Sequence, residues 1–328
     1  MMTFEYIVSL GQKNLKKKLR NELKKYYPPT DVVSGDGYLL AKGSQIMLTA
    51  HMDTVHEKPA CTIVREKVGD LTKLSSPQGL GGDDRSGLWI ILQILYRTDF
   101  RPTILFCEDE EIGSIGAGKF AETKEAVVLQ NMKYLVELDR RNADDAVFYY
   151  CGNKEFQKYI TDKTGNKKAE GSWSDICELS PIGDVASVNL SCGYYKEHKP
   201  ETYVIEEEME AVVGKVTALL EDETNVEKFE FCEEKFSTFW DGYGKSDYSY
   251  YRSYYDTISD YDDFSYVVTA FHNGKEIYCD YVGDELQCLA QFMMDNPDVP
   301  YSEVVSVVPY DEYVDYYDGG QFGAYSQK

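Results

Sequence analysis

The residues most able to do chemistry in this sequence begin with a histidine and an aspartate, His51 and Asp53. They follow the apolar run 45–48, which predicts a buried strand. In extended backbone, residues i and i+2 point to the same face, so the two side chains should lie side by side. One imidazole nitrogen can then bind a metal while the other donates to the carboxylate. A polar strand end that starts an ordinary loop is the alternative.

Further acidic residues occur where strands end or helices begin. Asp83 and Asp84 follow small residues and precede the apolar run 88–96, which predicts a buried helix. Helix capping would explain one aspartate, but not the preceding glycines, which let backbone crowd a site. Four consecutive carboxylates, 108–111, follow the predicted strand 103–107. Because clustered carboxylates repel one another unless a cation is present, we favour a site over an exposed loop.

Histidines are scarce, so any histidine-based site must use some of four residues: His51, His56, His198 and His272. Two histidines and three carboxylates at strand or loop ends provide the ligands that a pair of Zn²⁺ ions needs. This set is His51, Asp83, Glu111, Asp139 and His198. Two such ions can polarise a carbonyl and lower the pKa of a shared water, and a further carboxylate can act as general base.

Strands and helices that would position these residues alternate along the chain. The predicted strands are 45–51, 103–107, 134–141, 146–151 and 186–193. The predicted helices are 4–25, 88–96, 153–163 and 204–220. The basic face of the first helix would be solvated or would contact an acidic partner. A hairpin is expected at 35–43, and the stretch before residue 78 is expected to be irregular. The alternation predicts an α/β fold, a mostly parallel sheet with helices on both faces.

The composition changes near Glu221, where the chain becomes acidic and rich in tyrosine. We expect residues 1–222 to form the catalytic domain and 223–262 an acidic, tyrosine-rich linker or packing layer. Residues 263–328 would form a small α+β module with an acidic tail. Its elements would be a hairpin on an Asn-Gly turn at 266–279, a helix at 285–294 and a strand at 304–308.

Composition also excludes several classes of function. A net charge of -23 argues against nucleic acid as a partner. No apolar run is long enough to span a membrane, and the N-terminal residues have no signal-peptide pattern. Eight scattered cysteines without a C-x-x-C pair predict free thiols in a reducing, cytoplasmic location.

The ordered motifs resemble those of a known superfamily. They are His51-x-Asp53-Thr54-Val55, Gly82-Asp83-Asp84-x-x-Gly87, Asp109-Glu110-Glu111-x-Gly113, Leu138-Asp139 and the late His198. In this order, over roughly residues 35–220, they are similar to the dinuclear zinc exopeptidases and amidohydrolases. That superfamily includes peptidase T, the carboxypeptidase G type and the lidless zinc aminopeptidases.

The resemblance implies a ligand set when it is carried over position by position. Asp83 would bridge two zinc ions, or other divalent ions such as Co or Mn. His51 and Asp139 would bind one ion, and Glu111 and His198 the other. The resemblance also implies a cis peptide bond after Asp83.

The same resemblance implies the remaining roles. Glu110 would be the general base, and Asp53 would orient the first histidine. Two-domain members insert a lid between their last two ligands, but the interval 140–197 is too short for one, so the oxyanion-binding histidine of that lid is missing. Tyr194 or Tyr195 could donate to the oxyanion instead. Ordinary packing is the alternative in a chain with 28 tyrosines.

These roles imply a metal-dependent peptidase, most simply an aminopeptidase that hydrolyses short peptides by a zinc-activated water with Glu110 as base. An amidohydrolase that removes the acyl group of N-acyl amino acids is the alternative, and a panel of both substrate types would separate the two. A catalytically inactive, metal-containing binding or scaffold protein is an alternative from another class. It would hold metal and turn over nothing on that panel.

Overall fold

The computed structural model of the chain describes residues 1–56, 58–171, 173–233, 265–273, 275–282, 288–289, 292–293, 296 and 299–309. They belong to two compact units, Met1–Ser237 and Thr238–Lys328. The tyrosine-rich stretch 234–264, the acidic tail from residue 310 and most of the expected helix 285–294 lie outside the described residues.

The first unit is built from helices and strands that alternate for most of its length. Its α-helices are α1 (Phe4–Val8), α2 (Gln12–Leu23), α3 (Gly82–Arg97), α4 (Ile115–Ala121), α5 (Lys154–Thr164), α6 (Asp175–Gly183) and α7 (Glu206–Glu221). Its strands are β1 (Val32–Ser34), β2 (Tyr38–Ala41), β3 (Ile46–His51), β4 (Val64–Val68), β5 (Leu71–Ser75), β6 (Thr103–Cys107), β7 (Tyr134–Arg140), β8 (Asp145–Val147), β9 (Lys167–Ala169), β10 (Ser187–Ser191), β11 (Tyr194–Tyr195) and β12 (Tyr203–Ile205).

An eight-stranded sheet with the order β1-β2-β6-β3-β7-β10-β8-β9 forms the centre of this unit. Its four middle strands, β6, β3, β7 and β10, run parallel. The strands on either side of these four are antiparallel to them: β2 pairs antiparallel with β6, and β8 with β10. The carboxyl ends of four adjacent strands therefore meet at one edge, where open sheets of this kind bind ligands.

Apolar side chains cover both faces of the sheet, which confirms the predicted α/β class. On β3, Leu48 enters a core shared with α1, α2, α3, α5 and α7, and Met47 enters a second core shared with α4 and α6. Helix α3 approaches β7 closely at Gly87, where an added Cβ would lie 1.9 Å from the main-chain oxygen of Leu138. This contact requires glycine, and it holds the start of α3 against the strand that carries Asp139.

Several elements differ from the sequence predictions. The expected strand 146–151 is only the short β8, and α6 and β9 were not predicted. The expected helix 4–25 is two helices, because the backbone is extended at Gly11, which forms the N-cap of α2. The expected helix 204–220 begins at Glu206, since Val204 pairs with Leu74 in a second sheet. The stretch expected to be irregular contains the hairpin β4–β5. Every residue of β4 is exposed, so the strand lacks the apolar alternation that would predict it.

The second sheet has the order β11-β12-β5-β4 and is antiparallel throughout. It contacts α3 and α7 through β12. The loop between β11 and β12 carries His198, whose backbone has a φ of 57°. This small sheet therefore brings the last predicted ligand toward the edge of the large one.

Residues after α7 continue to pack on the first unit. The ring of Phe229 lies 5.3 Å from that of Phe156 and 6.2 Å from that of Tyr134, measured between centroids. The Phe229 N–H donates to the Lys133 carbonyl, and its own carbonyl accepts from the Ala186 N–H. This part of the expected linker or packing layer is thus an added segment along the large sheet.

The second unit contains strands β13 (Ser265–His272), β14 (Lys275–Val282) and β15 (Val304–Pro309). They form an antiparallel sheet with the order β14-β13-β15. The predicted hairpin is confirmed, with Asn273 in the left-handed region at the turn. His272 lies in this unit, and its Nδ1 is 2.6 Å from Glu303 Oε2. No helix among the described residues is long and apolar enough to cross a membrane.

Candidate metal centre

The side chain of His51 ends β3 and is buried at the carboxyl edge of the large sheet. Its Nδ1 lies 3.1 Å from Asp53 Oδ1, as the spacing of the two residues predicts. Asp53 also accepts the main-chain N–H groups of Glu110 and Glu111, at 3.1 and 3.0 Å. One carboxylate therefore orients the imidazole and fixes the start of the loop that follows β6.

The other nitrogen of His51 faces three carboxylates. Its Nε2 is 3.2 Å from Asp83 Oδ1, 3.3 Å from Asp139 Oδ1 and 3.8 Å from Glu110 Oε2. These groups come from the start of α3, the end of β7 and the loop after β6. Three segments that are distant in the sequence thus converge on a single imidazole nitrogen.

His198 approaches the same cluster from the opposite side. Its Nε2 is 2.8 Å from Glu111 Oε2 and 3.5 Å from Asp83 Oδ2. The two oxygens of Asp83 therefore face different histidines. Unlike the buried His51, His198 is exposed, so this side of the cluster is open to solvent.

The two consecutive aspartates have different contacts. The peptide bond between Asp83 and Asp84 is cis, as the resemblance implies. Asp84 accepts the main-chain N–H of Gly87 at 2.9 Å and that of His51 at 3.3 Å. Asp84 thus satisfies backbone donors of α3 and β3, as the capping interpretation expects, and Asp83 is directed into the cluster.

The donor set suits divalent metal ions. His51, Asp83 and Glu111 each offer a ligand atom, and these atoms all lie within 4.8 Å of one another. Two ligands about 2.0–2.1 Å from one tetrahedral ion lie roughly 3.3 Å apart, close to the spacings in this cluster. Glu111 Oε1 and Asp139 Oδ1 are buried without a hydrogen-bond partner among the described residues. Buried oxygens of this kind are costly unless a donor or a cation satisfies them.

The electrostatics of the cluster also favour a cation. Burial raises the pKa of Glu110 to about 9, and repulsion from Asp139 adds to this effect while His51 opposes it. Burial likewise raises the pKa of Asp139 to about 7. Hydrogen bonds to Asp83 and Glu111 raise the pKa of His198 to about 10. These raised pKa values mean that the cluster binds protons to offset its concentrated negative charge. Metal ions would neutralise that charge instead.

Sequence reasoning missed the residues that hold Asp139. The Ser174 hydroxyl donates to Asp139 Oδ2 at 3.0 Å, and the Asp139 N–H donates to Asn189 Oδ1 at 3.0 Å. Ser174 is the N-cap residue of α6, and Asn189 lies in the middle of β10. Neither residue has a spacing relation to Asp139 in the sequence that could have identified it.

Two further acids are buried beneath the cluster. Glu137 and Asp175 have carboxylate oxygens without a hydrogen-bond partner among the described residues. Burial raises the pKa of Asp175 to about 6 and that of Glu137 well above its usual value. Glu137 is two residues before Asp139 on β7 and shares its face, which is a signal that sequence analysis could have used. Asp175 has no such signal.

The remaining expected residues lie near the cluster in other roles. Tyr194 donates its hydroxyl to the main-chain oxygen of Asp139 at 2.8 Å, and Tyr195 donates to Glu208 Oε2 at 2.7 Å. Both hydroxyls therefore already have an acceptor within the chain, and an oxyanion role for either tyrosine stays a prediction. His56, the remaining histidine of this unit, lines a neighbouring cavity.

Comparison with solved structures places this arrangement in a known fold. The aminopeptidase PepT of Bacillus cereus ATCC 10987 matches with a TM-score of 0.54 at 15% identity, over 67% of this chain and 97% of that one. A tripeptidase of Staphylococcus aureus subsp. aureus Mu50 matches with a TM-score of 0.54 at 14% identity, over 68% and 97%. About two thirds of the chain therefore has the zinc-exopeptidase fold.

A third protein with the zinc-exopeptidase fold widens the comparison. Aminopeptidase APDkam598 of Desulfurococcus kamchatkensis matches with a TM-score of 0.51 at 13% identity, over 67% of this chain and 93% of that one. No protein-family model matches the chain, and no curated protein matches its sequence. At identities of 13–15% the similarity is one of fold.

Proposed function

We propose that the protein is a metal-dependent peptidase, and more specifically an aminopeptidase that acts on short peptides. The observation that carries this proposal is the convergence of His51, Asp83 and Glu111 on one point. They converge at the carboxyl edge of a sheet that has the zinc-exopeptidase fold. The three matched proteins are named as aminopeptidases or as a tripeptidase, which supports peptides as the substrate class.

Two divalent ions would be held by five residues in this proposal. Asp83 would bridge them, since its two oxygens face different histidines. His51 and Asp139, 3.3 Å apart, would hold one ion, and Glu111 and His198, 2.8 Å apart, the other. When bound, such a pair polarises the scissile carbonyl and lowers the pKa of a water.

Glu110 would move the proton. Its Oε2 lies at the edge of the cluster, 3.8 Å from His51 Nε2, and is outside the proposed ligand set. Its main-chain N–H is bound to Asp53, which fixes where the side chain begins. The carboxylate would accept a proton from the attacking water at Oε2 and return it to the leaving amine. Asp53 would keep His51 in the tautomer that leaves Nε2 free for a metal.

Metal content tests the ligand assignment. Protein purified without chelator, or reconstituted with zinc, should contain two divalent ions per chain by elemental analysis. His51→Ala should lower this number, and His272→Ala should not, because His272 Nδ1 faces Glu303 and the residue is outside the proposed ligand set. A metal content near zero after reconstitution would reject the assignment.

Substitution of Glu110 tests the mechanism. Glu110→Gln should keep both metals and lose turnover, because an amide cannot accept the proton. Loss of a general base lowers kcat by about 10²–10⁴-fold. The same substitution at the exposed Glu155, on α5, is the matched control and should leave kcat unchanged. Near-normal turnover of Glu110→Gln would place the base elsewhere.

A substrate panel separates the candidate functions. Aminoacyl amides and short peptides should be hydrolysed, whereas N-acyl amino acids should not. The reverse preference would indicate an amidohydrolase. Two bound metals without turnover of either class would favour the inactive binding or scaffold protein.

A further inference from the structure

A cavity of about 560 Å³ lies beside the candidate metal centre, within the size range of small-ligand pockets. Asp53 and Glu111 form part of its wall, so it adjoins the cluster directly. The rest of the wall comes from residues 8 and 10–12 at the turn between α1 and α2, from residues 54–56, 58–60 and 79–81, and from Arg85, Asp109 and Ile112. A peptide cleaved at the cluster would place a neighbouring group in this cavity.

Arg85 is a buried cation in the cavity wall. The residue is only 2% exposed, and its Nη1 donates to the main-chain oxygens of Ile7 and Leu10 at 3.2 and 3.1 Å. Its Nε is buried without a hydrogen-bond partner among the described residues, and the Asp53 and Asp84 carboxylates stabilise its charge. Burial lowers its pKa to about 10, so it remains charged at neutral pH. The wall therefore holds a fixed positive charge with an unused donor.

The N-terminus of α2 adds a second positive feature to the same wall. Gly11 and Gln12 line the cavity, and no side chain caps this twelve-residue helix. The first N–H groups of a helix and its dipole favour an anion at this end. Lys58 also lines the cavity and is exposed. The helix N-terminus, Arg85 and Lys58 thus line the same cavity, although the chain carries a net charge of -23.

Each acidic side chain of the cavity has at least one oxygen bound within the chain, although Glu111 Oε1 has no partner among the described residues. Asp53 is bound by His51 and two N–H groups, and Asp109 accepts from Gln12 Nε2 at 2.9 Å. Glu111 faces His198. The buried Gln12 Oε1 and Thr54 Oγ1 remain without partners among the described residues, and such atoms can bind the amide groups of a peptide.

We propose that this cavity binds a carboxylate of the peptide substrate through Arg85, Lys58 and the N-terminus of α2. The carboxylate is either the C-terminus of a short peptide or an acidic side chain next to the scissile bond. The substrate assignment rests on the proposed peptidase function, whereas carboxylate binding itself does not.

Gly11 offers a matched pair of variants for the test. A Cβ at this position meets nothing within 4 Å, and the backbone is extended there, as N-cap residues require. Gly11→Asp and Gly11→Asn should therefore both fold and both cap α2. Only the aspartate adds a negative charge to the cavity, so the comparison isolates charge from capping and from size.

Hydrolysis of paired peptides is the first readout. Each pair differs at a single group: a free C-terminus against its amide, or glutamate against glutamine beside the scissile bond. Loss of a hydrogen bond to a charged group lowers kcat/KM by about 10–100-fold. Gly11→Asp should show this loss, relative to Gly11→Asn, for the acidic member of one pair, and little change for its neutral partner. The affected pair identifies the source of the carboxylate.

Thermal stability with a small probe is the second readout and does not require turnover. Glutarate should raise the Tm of the unsubstituted protein most. It should raise that of Gly11→Asn less, because the asparagine also accepts from the first N–H groups of α2, and that of Gly11→Asp least. Lys58→Met should also show a smaller rise than the unsubstituted protein. Glutaramide, the neutral control, should raise none of them.

The two readouts separate the two hypotheses. If peptides are hydrolysed but the Gly11 variants behave alike with every pair and with glutarate, the carboxylate site is wrong and the peptidase function stands. If no peptide is hydrolysed but glutarate stabilises Gly11→Asn and not Gly11→Asp, the carboxylate site stands and the peptidase function is wrong. Failure of both readouts rejects both.

Discussion

At the scale of single residues, the Asp53 carboxylate accepts more hydrogen bonds than its position in the sequence predicts. The spacing predicts a partner for His51, and the 3.1 Å contact agrees. The structure adds two main-chain N–H groups, from Glu110 and Glu111, that bind the same carboxylate. Asp53 therefore connects the end of β3 with the loop after β6, and a change there affects both sides of the metal centre.

Replacement of this carboxylate by an amide tests the connection. Asp53→Asn keeps the size of the side chain but replaces one carboxylate oxygen by an NH₂ group. At least one of the three N–H groups that donate to Asp53 would then face a second donor. Loss of such an outer contact lowers metal affinity by about 10–100-fold. Competition with a chromogenic chelator measures the change. Asp109→Asn is the control, because Asp109 is in the same acidic run but binds Gln12 and not His51. Equal metal affinity in both variants would contradict the proposed role of Asp53.

Those residues of the candidate site that follow or end an apolar strand could be predicted from the sequence. His51, Glu111 and Asp139 each follow or end a buried run that predicts a strand. The contacts of Ser174 and Asn189 with Asp139 could not be predicted in this way, because they depend on how α6 and β10 pack beside β7. Such tertiary contacts leave no periodic signal in the sequence.

At the scale of elements, helix α2 supports the metal centre from outside it. Its basic face was expected to be solvated or to contact an acidic partner. Lys16, on this helix, instead contacts groups of the same chain. The Lys16 ammonium binds Glu108 and the Gly35 carbonyl, and Gln12 binds Asp109. The helix thereby holds Glu108 and Asp109. The next two residues of the same acidic segment are the proposed base, Glu110, and a proposed ligand, Glu111.

Removal of the Lys16 charge should loosen this segment. Lys16→Met leaves Glu108, whose side chain is 15% exposed, without its cationic partner. An unpaired, mostly buried polar group lowers the free energy of unfolding by about 1–3 kcal/mol. Urea denaturation measures the change. Lys17→Met, at the adjacent exposed position of α2, is the control and should stay within about 0.5 kcal/mol of the unchanged protein. Equal stability of the two variants would show that α2 does not support the segment.

Elements with strong apolar periodicity could be predicted, and those formed by pairing could not. Strands β6 and β10 match their predicted positions within two residues, and α3 contains its predicted run 88–96 but begins six residues earlier. Strands β4 and β12 were missed because they are stabilised by pairing with β5, and their own residues carry no clear alternation. The break between α1 and α2 was missed because apolar residues on both sides keep helical spacing across Gly11.

At the scale of the whole molecule, the boundary of the first unit lies beyond the last predicted helix. The compositional change near Glu221 indicated a boundary there, and the compact unit ends at Ser237. The difference comes from the segment after α7, which lies along the large sheet. In this segment Phe229 packs against Tyr134 and Phe156. Composition could not reveal this, because the segment is acidic overall and contributes only a few apolar side chains to the core.

Two truncations test where the catalytic unit ends. A chain that ends at Ser237 should keep its metals and unfold cooperatively. A chain that ends at Glu221 loses Phe229, a partly buried phenylalanine whose removal should lower stability by up to about 3 kcal/mol. The full-length Phe229→Ala variant should reproduce much of this loss. Thermal unfolding and metal analysis of the three proteins measure the effect. Loss of metal from the chain that ends at Ser237 would mean that the second unit contributes to the site.

The turn between α1 and α2 also affects the order in which this molecule can fold. The Gln12–Asp109 hydrogen bond joins residues 97 positions apart, and the contacts of Arg85 with Ile7 and Leu10 join residues 78 and 75 apart. During synthesis, the turn between α1 and α2 therefore leaves the ribosome before its partners, which follow 75 to 97 residues later. Closing so long a loop costs chain entropy that local helices and hairpins do not incur. We expect the wall that carries Gly11 to close late in folding, after the parallel strands beside it have begun to pair.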